Sequence, residues 1–192
     1  MKVHFTGSSS LISEKIDVYR TIISVIRSQG HVLTRDWTED AYKRSKSGKN
    51  IYSDNEWKEI FNKTVPSIVK ADVVIIEASS DSFSMGYQAA LAIHHNKPTL
   101  LLVDQQNRDS SFIEGSNSTL KRKEIYKSMD QVTKMVGSFL KDNDVKKKDM
   151  RFDMFFDRET FNYLRWESYK TGKTKAQLIR DLVRDKINQN EA

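Results

Sequence analysis

The sequence predicts an α/β fold, a parallel sheet with helices on both faces, followed by a small helical module at the C-terminal end of the 192 residues. Three observations carry that prediction. Dense apolar runs at Val73–Ile76 and Leu100–Val103 read as buried strands. The segments between them place apolar residues at helical spacing. Beyond residue 141 this alternation stops, and a charged run leads to a pattern of one strand and two helices.

The elements follow in order. Val3 to Thr6 is a short strand running into Gly7-Ser8-Ser9-Ser10. Ile16, Tyr19, Ile22, Ile23 and Ile26 recur at helical spacing, and Gly30 ends that helix. His31 to Thr34 is a second strand leading to Trp37. Lys43 to Asn50, polar and rich in Lys and Ser, reads as a mobile loop. Ser53 with Glu56 is a capping-box pattern that opens a helix through Trp57, Ile60 and Phe61. Pro66 predicts a kink or break in it. A strand at 73–76, a helix from about 85 to 95 and a strand at 99–103 after Asn96-Lys97-Pro98 complete a βαβαβ order. That order is Rossmann-like or flavodoxin-like. Residues 104–119 read as loop, Leu120–Tyr126 as a late strand, and Met129–Leu140 as a helix with Val132, Met135, Val136, Phe139 and Leu140 on its apolar face.

Composition narrows the classes. No apolar run is long enough to span a bilayer, and Met1-Lys2-Val3-His4-Phe5 is strand-like rather than a signal sequence. With no cysteine there is no disulfide framework and no thiolate metal site, so a cytoplasmic location is the expectation. A net charge of +6 permits a nucleic-acid partner without demanding one. His94 and His95 lack a carboxylate at metal-ligand spacing, and no Walker loop or nucleophile elbow occurs. Neither a metal nor a cofactor is expected. Trp37 and Trp57 can stack on a base or cover the core.

The chemistry-bearing stretch runs from Ala71 to Ala92: a buried strand, the small-residue loop Ala78-Ser79-Ser80-Asp81-Ser82, then a helix opening at the loop. In open α/β sheets the crevice outside the carboxyl ends of the strands is where ligands sit. Gly7-Ser8-Ser9-Ser10 faces it from the first strand, offering amides and hydroxyls to phosphate or sugar oxygens. The alternative for each loop is a turn rich in small capping residues.

Over roughly residues 1–141 these motifs resemble the nucleoside 2-deoxyribosyltransferase family and its nucleotide N-glycosidase relatives. The resemblance implies ligand contacts from Gly7, Ser8, Ser9, Glu77, Ser82, Met85, Gly86 and Gln88, with Ser82 and the helix N-terminus holding a 5′-phosphate. It places a nucleophilic glutamate where this chain has Gln88 and an assisting aspartate where it has Thr64; Ser84 replaces a usual glycine. An amide is a far weaker nucleophile than a carboxylate, so the resemblance implies a familiar pocket with impaired chemistry. Glu77 matches an acidic strand-end residue of the relatives. It could bond a ribose hydroxyl, act as an alternative nucleophile, or cap a local turn. Asp72 reads as a turn residue.

Lys141 to Asp149 is charged and without apolar clusters, which sets the expected boundaries: a domain at 1–141, a linker at 142–149 and a module at 150–190. In the module, Arg151-Phe152-Asp153-Met154-Phe155-Phe156 is strand-like, Asp157 caps a helix through Phe161, Leu164 and Ser168, Gly172 ends it, and Thr174 caps a second helix through Ile179, Leu182, Val183 and Ile187. So short a segment cannot build its own core, which predicts a homodimer or higher oligomer. The pattern resembles the ribbon-helix-helix fold. That resemblance implies a core set of Phe152, Met154 and Phe156. It also implies double-stranded DNA contacts from Arg151, Asp153 and Phe155 on the ribbon and from Lys173, Thr174 and Lys175 at a phosphate clamp. Residues 146–192 hold 12 basic and 8 acidic side chains. Pure dimerisation is the alternative. Three functions follow as expectations: a dimeric DNA-binding regulator that senses a nucleotide or phosphorylated sugar, an active nucleotide N-glycosidase or deoxyribosyltransferase whose tail serves assembly, and an assembly protein with a vestigial pocket.

Overall fold

The computed structural model describes residues 1–49, 51–80, 82–105, 118–144 and 152–191. The chain divides into two compact units, Met1–Lys147 and Lys148–Ala192. The first is a five-stranded parallel sheet: β1 (Lys2–Thr6), β2 (Val32–Leu33), β3 (Val73–Glu77), β4 (Thr99–Asp104) and β5 (Lys121–Tyr126), in the order β2-β1-β3-β4-β5. Val3 lies opposite Val73, Val74 opposite Thr99, and Thr99 opposite Lys121. The four polar or charged residues Lys121–Glu124 on the edge strand β5 discourage further pairing.

Among the described residues this unit has five helices: α1 (Ile12–Ser28), α2 (Thr38–Lys46), α3 (Asp54–Lys70), α4 (Phe83–His94) and α5 (Met129–Asp142). Strand alternation sends successive side chains to opposite faces and so builds two cores. Val3, Phe5, Val73, Ile75, Leu100 and Leu102 face α1 and α5, where Ile16, Tyr19, Ile22, Ile26, Val132, Val136 and Phe139 meet them. Val74, Ile76 and Leu101 face the other way, against Ile68 of α3 and Met85, Ala89 and Ala92 of α4. Each fully buried isoleucine in these layers contributes about 1.5–3 kcal/mol.

Helix ends follow the local chemistry. Gly30 (φ 77°) closes α1 in a Schellman motif, with Gly30 N–H donating to Arg27 C=O at 3.0 Å and His31 N–H to Ile26 C=O at 3.1 Å. Asn96 (φ 55°) does the same for α4, with Lys97 N–H on Ala92 C=O at 2.9 Å. Ser53 and Glu56 form the full capping box of α3.

Two expectations are corrected here. The segment read as a loop from Lys43 is helical as far as Lys46. Its acidic first turn (Glu39, Asp40) and basic last turn (Lys43, Arg44, Lys46) suit the helix dipole, while Ala41 and Tyr42 pack on the core. Pro66 does not break α3, which continues to Lys70 held by buried Thr64, Ser67 and Ile68.

The second unit contains α6 (Arg158–Thr171) and α7 (Lys175–Glu191). Asp157 accepts from Thr160 N–H at 2.7 Å, Gly172 ends α6 at φ 71°, and Thr174 Oγ1 accepts from Gln177 N–H at 3.2 Å. The strand expected over 151–156 is not formed at Phe152–Phe156, and Arg151 lies outside the described residues. A ribbon pairs strands between two chains, so one chain supplies no partner strand. Phe152, Met154, Phe155, Phe161, Trp166, Leu182, Val183 and Ile187 are correspondingly exposed.

Candidate functional site

In the order 2-1-3-4-5 the chain reverses its direction across the sheet between β1 and β3, and ligands of such folds bind at that switch point. The loops after these two strands are Gly7–Ser10 and Ala78–Ser82. Ser82 is the N-cap of α4, yet its side chain makes no capping bond, and the first turn of α4 holds no acidic residue. The helix end is therefore electrostatically suited to an anion.

Below this end, on the α3–α4 face, lies a polar cluster. His4 is 1% exposed at the middle of β1. Its Nδ1 lies 2.8 Å from Ser67 Oγ of α3, and its Nε2 lies 3.4 Å from Gln88 Oε1 of α4. With the amide so placed, the second contact requires the proton on Nε2, and Nδ1 then accepts from the Ser67 hydroxyl. Thr34 Oγ1, just beyond β2, is 2.7 Å from Ser67 Oγ. Arg35 donates to Thr64 Oγ1, and Thr64 donates to Ile60 C=O at 2.7 Å. Burial pulls the His4 pKa down to about 4, partly opposed by the Gln88 contact and aided by the Arg35 charge. The ring is therefore neutral at pH 7.

Glu77 is placed elsewhere. It is fully buried and, by strand alternation with Val73 and Ile75, points to the α1–α5 face, opposite Gln88. Ser79 and Tyr126 donate to its Oε1, the latter at 2.9 Å. Lys15 pairs with Asp104 and reaches Tyr126 Oη at 3.3 Å, and Asp104 N–H donates to Ser79 Oγ at 2.7 Å. Burial and then the charge of Glu77 push the Tyr126 and Tyr19 phenols up. Glu77 Oε2 is buried with no hydrogen-bond partner among the described residues. This is a network stitching β3, β4, β5 and α1 together, and it does not meet Gln88.

The remaining predicted residues fall as follows. A Cβ on Gly7 would lie 2.8 Å from the buried Tyr19 ring, so the glycine has a packing reason independent of ligand. Ser8 is buried, with its Oγ 2.7 Å from Ser10 Oγ; Ser9 is half-buried. Met85 packs in the α3–α4 core rather than at the loop. Gly86 has open space where a Cβ would be. Gln88 is half-buried. Trp37 stacks on Phe5 and donates to Phe5 C=O at 2.9 Å, as core cover, whereas Trp57 is exposed beside Tyr52. In the second unit Lys173 pairs with Asp181 at 2.9 Å, Thr174 caps α7, Lys175 lies over the Phe161 ring, Asp153 is exposed and Phe155 is fully exposed. A groove of about 500 Å³ along α1 is lined by the Arg20–Glu39 and Arg27–Asp36 pairs and holds no residue of either cluster.

The sequence analysis missed His4, Ser67 and Arg35. Alternation with the apolar Val3 and Phe5 could have marked His4 as facing the other layer. Among the described residues no three His, Asp or Glu side chains stand close enough to hold a metal, and no helix is long and apolar enough to cross a membrane.

No family model matches the chain. It is 29% identical over 102 residues to the 5-hydroxymethyl-dUMP N-hydrolase of Danio rerio, covering 53% of this chain and 68% of that one. It is 27% identical over 119 residues to a Nematostella vectensis protein provisionally named 2'-deoxynucleoside 5'-phosphate N-hydrolase 1, covering 61% and 78%. The fold matches the Clostridium botulinum CMP N-glycosidase BcmB with a TM-score of 0.50 at 12% identity, over 71% of this chain and 98% of that one.

Proposed function

Starting from a chain of the nucleoside 2-deoxyribosyltransferase-like family, we propose that the N-terminal unit binds a nucleoside 5′-monophosphate and hydrolyses its N-glycosidic bond. The observation that carries this reading is the pair of loops at the β1/β3 switch point, one of them opening the uncapped N-terminus of α4 above Gln88. The phosphate sits at that helix end and the sugar over Gln88 and His4. The named activities of two relatives, both acting on deoxynucleotide 5′-phosphates, support the same substrate class.

The route differs from double displacement. A covalent glycosyl intermediate needs a nucleophilic oxygen, and the Gln88 amide is too weak to form one. Glu77 does not replace it, because its carboxyl is buried on the other face of the sheet. Water therefore attacks the anomeric carbon directly as the C–N bond to the base breaks, which inverts the configuration; the attacking water gives its proton to solvent and the departing base takes one from solvent. Turnover is slow, since no carboxylate among the residues of the cluster stabilises the oxocarbenium-like transition state. The neutral His4 ring holds the Gln88 amide in place.

A second reading, binding without turnover, is favoured by one observation: both positions where the resemblance puts carboxylates, Thr64 and Gln88, are neutral and bonded to Arg35 and His4 respectively. The deciding experiment is incubation of the purified chain with deoxynucleoside 5′-monophosphates, with chromatography for free base. Base release supports the first reading. Saturable binding without base release replaces it with the second. For the C-terminal unit we propose self-assembly through the exposed apolar side chains of Phe152–Phe156, α6 and α7. Sedimentation of the chain with and without residues 148–192 tests it, and duplex DNA added at low and high salt tests the DNA expectation.

A further inference from the structure

Arg35 differs from the other described arginines of the N-terminal unit. Arg20, Arg27, Arg44 and Arg122 each sit on a carboxylate within 2.9 Å. Arg35 has no ion-pair partner among the described residues. Its guanidinium is half-buried and is recorded bonding through one Nη only, to the Thr64 hydroxyl and to Ile60 C=O at 3.5 Å. A guanidinium carries five N–H donors and does not shed its charge, so a half-buried one with only neutral acceptors is undersupplied.

Glu59 of α3 acts on the Arg35 charge without forming an ion pair, and is itself paired with Lys63. Thr64 already accepts from Arg35 and donates to Ile60 C=O. Ser67, Thr34, His4 and Gln88 complete the cluster, each neutral, and Thr34 is the residue next to Arg35 in the chain. The cluster on the α3–α4 face thus carries one positive charge, that of Arg35. Arg35 is held on α3 through Thr64 and Ile60, whereas the helix end assigned above to the 5′-phosphate opens α4, so the two anion donors belong to different helices.

We infer that Arg35 forms an anion subsite for a second phosphate on the sugar of the bound nucleotide. The ligand class is a nucleoside 3′,5′-bisphosphate, its 3′-phosphate taken by the guanidinium fork and its 5′-phosphate by the α4 helix end. Thr64 fixes the guanidinium by accepting from it and supplies no charge of its own, which leaves Arg35 available to the ligand. The inference rests on the pocket reading above and refines its ligand.

Calorimetric titration of the full chain with 2′-deoxynucleoside 5′-monophosphate, 5′-diphosphate and 3′,5′-bisphosphate tests it, alongside Arg35→Gln and Arg35→Lys. The 3′,5′-bisphosphate should bind about tenfold or more tighter than the monophosphate, because a charge-assisted contact is added. It should also bind tighter than the diphosphate, which has the same number of phosphates on one side. In Arg35→Gln the ratio of bisphosphate to monophosphate affinity should fall to about one, and Arg35→Lys should restore part of it. Circular dichroism and urea midpoints confirm that the variants are folded. Equal binding of monophosphate and bisphosphate to the wild type overturns this inference while leaving the pocket reading intact. So does an Arg35→Gln loss that is uniform and leaves the ratio unchanged, since Arg35 would then serve the 5′-phosphate. Tighter binding of the diphosphate moves the second phosphate off the sugar and also overturns it. Failure of all three ligands overturns the pocket reading and this inference together.

Discussion

Replace His4 with glutamine and the fold should lose part of its acid sensitivity. The ring is 1% exposed and its pKa is lowered from 6.5 to about 4, chiefly by burial. Above pH 6.5 the ring is neutral in both folded and unfolded chains and contributes nothing to pH dependence. As the pH falls below that value the unfolded chain takes up a proton that the folded one refuses until about pH 4. Stability is therefore lost on acidification through this window and levels off below it. The full difference corresponds to about 3 kcal/mol, of which about 2 kcal/mol is lost between about pH 7 and about pH 5. Glutamine keeps a donor and an acceptor for Ser67 and Gln88 but does not titrate. In urea unfolding followed by tryptophan fluorescence, the wild-type midpoint should drop by about 1 M more than that of His4→Gln over the same interval. Other titrating groups act equally in both proteins and cancel. Equal midpoint losses in the two proteins would refute the placement of His4 as a buried neutral ring.

Three further outcomes test the placement of the site. Gly86→Ala fills open space in the first turn of α4, so it should stabilise the helix by up to about 1 kcal/mol while removing the nucleotide-induced rise in melting temperature; a preserved rise would mean the ligand does not approach there. Glu77→Gln disturbs the bonds from Ser79 and Tyr126 and should cost about 1–3 kcal/mol without ligand, with the nucleotide-induced rise retained; loss of that rise at unchanged stability would put Glu77 back in the pocket. Gln88→Glu with Thr64→Asp should release base faster than Gln88→Glu alone only when Arg35 is also changed to Gln, because Arg35 would otherwise pair with the new aspartate; equal rates with and without that third change would refute the pairing.

Much of the fold was legible because it depends on local rules. The apolar runs at Val73–Ile76 and Leu100–Val103, the Ile16–Ile26 spacing, the Ser53–Glu56 box and the Gly30 and Gly172 stops all carry their signal within a few residues. What was missed lacked such a signal. Helix α2 has little apolar content, and its stability comes from end charges and from contacts of Ala41 and Tyr42 with residues distant in sequence. The ribbon strand at 151–156 was read from alternation, but a strand needs a neighbour, and no strand is formed at Phe152–Phe156.

The candidate site was legible as two loops and illegible as a set of side chains. The loops announce themselves by composition, whereas the partners of Gln88 are set by which face of the sheet each residue takes. A one-residue difference in parity separates His4 from Phe5 and Ile76 from Glu77, and it decides that His4 meets Gln88 while Glu77 meets Tyr126. The strand-end position of Glu77 made it look like a pocket residue, since sequence shows how far along a strand a residue lies. Applying alternation to β1 and β3 together would have put Glu77 with Phe5 and Ile75, behind the sheet from α4. Arg35 had no such route. It follows a two-residue strand, and the approach of Thr64 on α3, 29 positions away, turns an ordinary surface arginine into a half-buried one with no ion pair among the described residues. Thr64 is thus tied to a cation that sequence spacing could not bring to it, while Gln88 is tied to the neutral ring of His4. Thr64 and Gln88 are better understood with Arg35 and His4 as one rebuilt lining than as two separate losses.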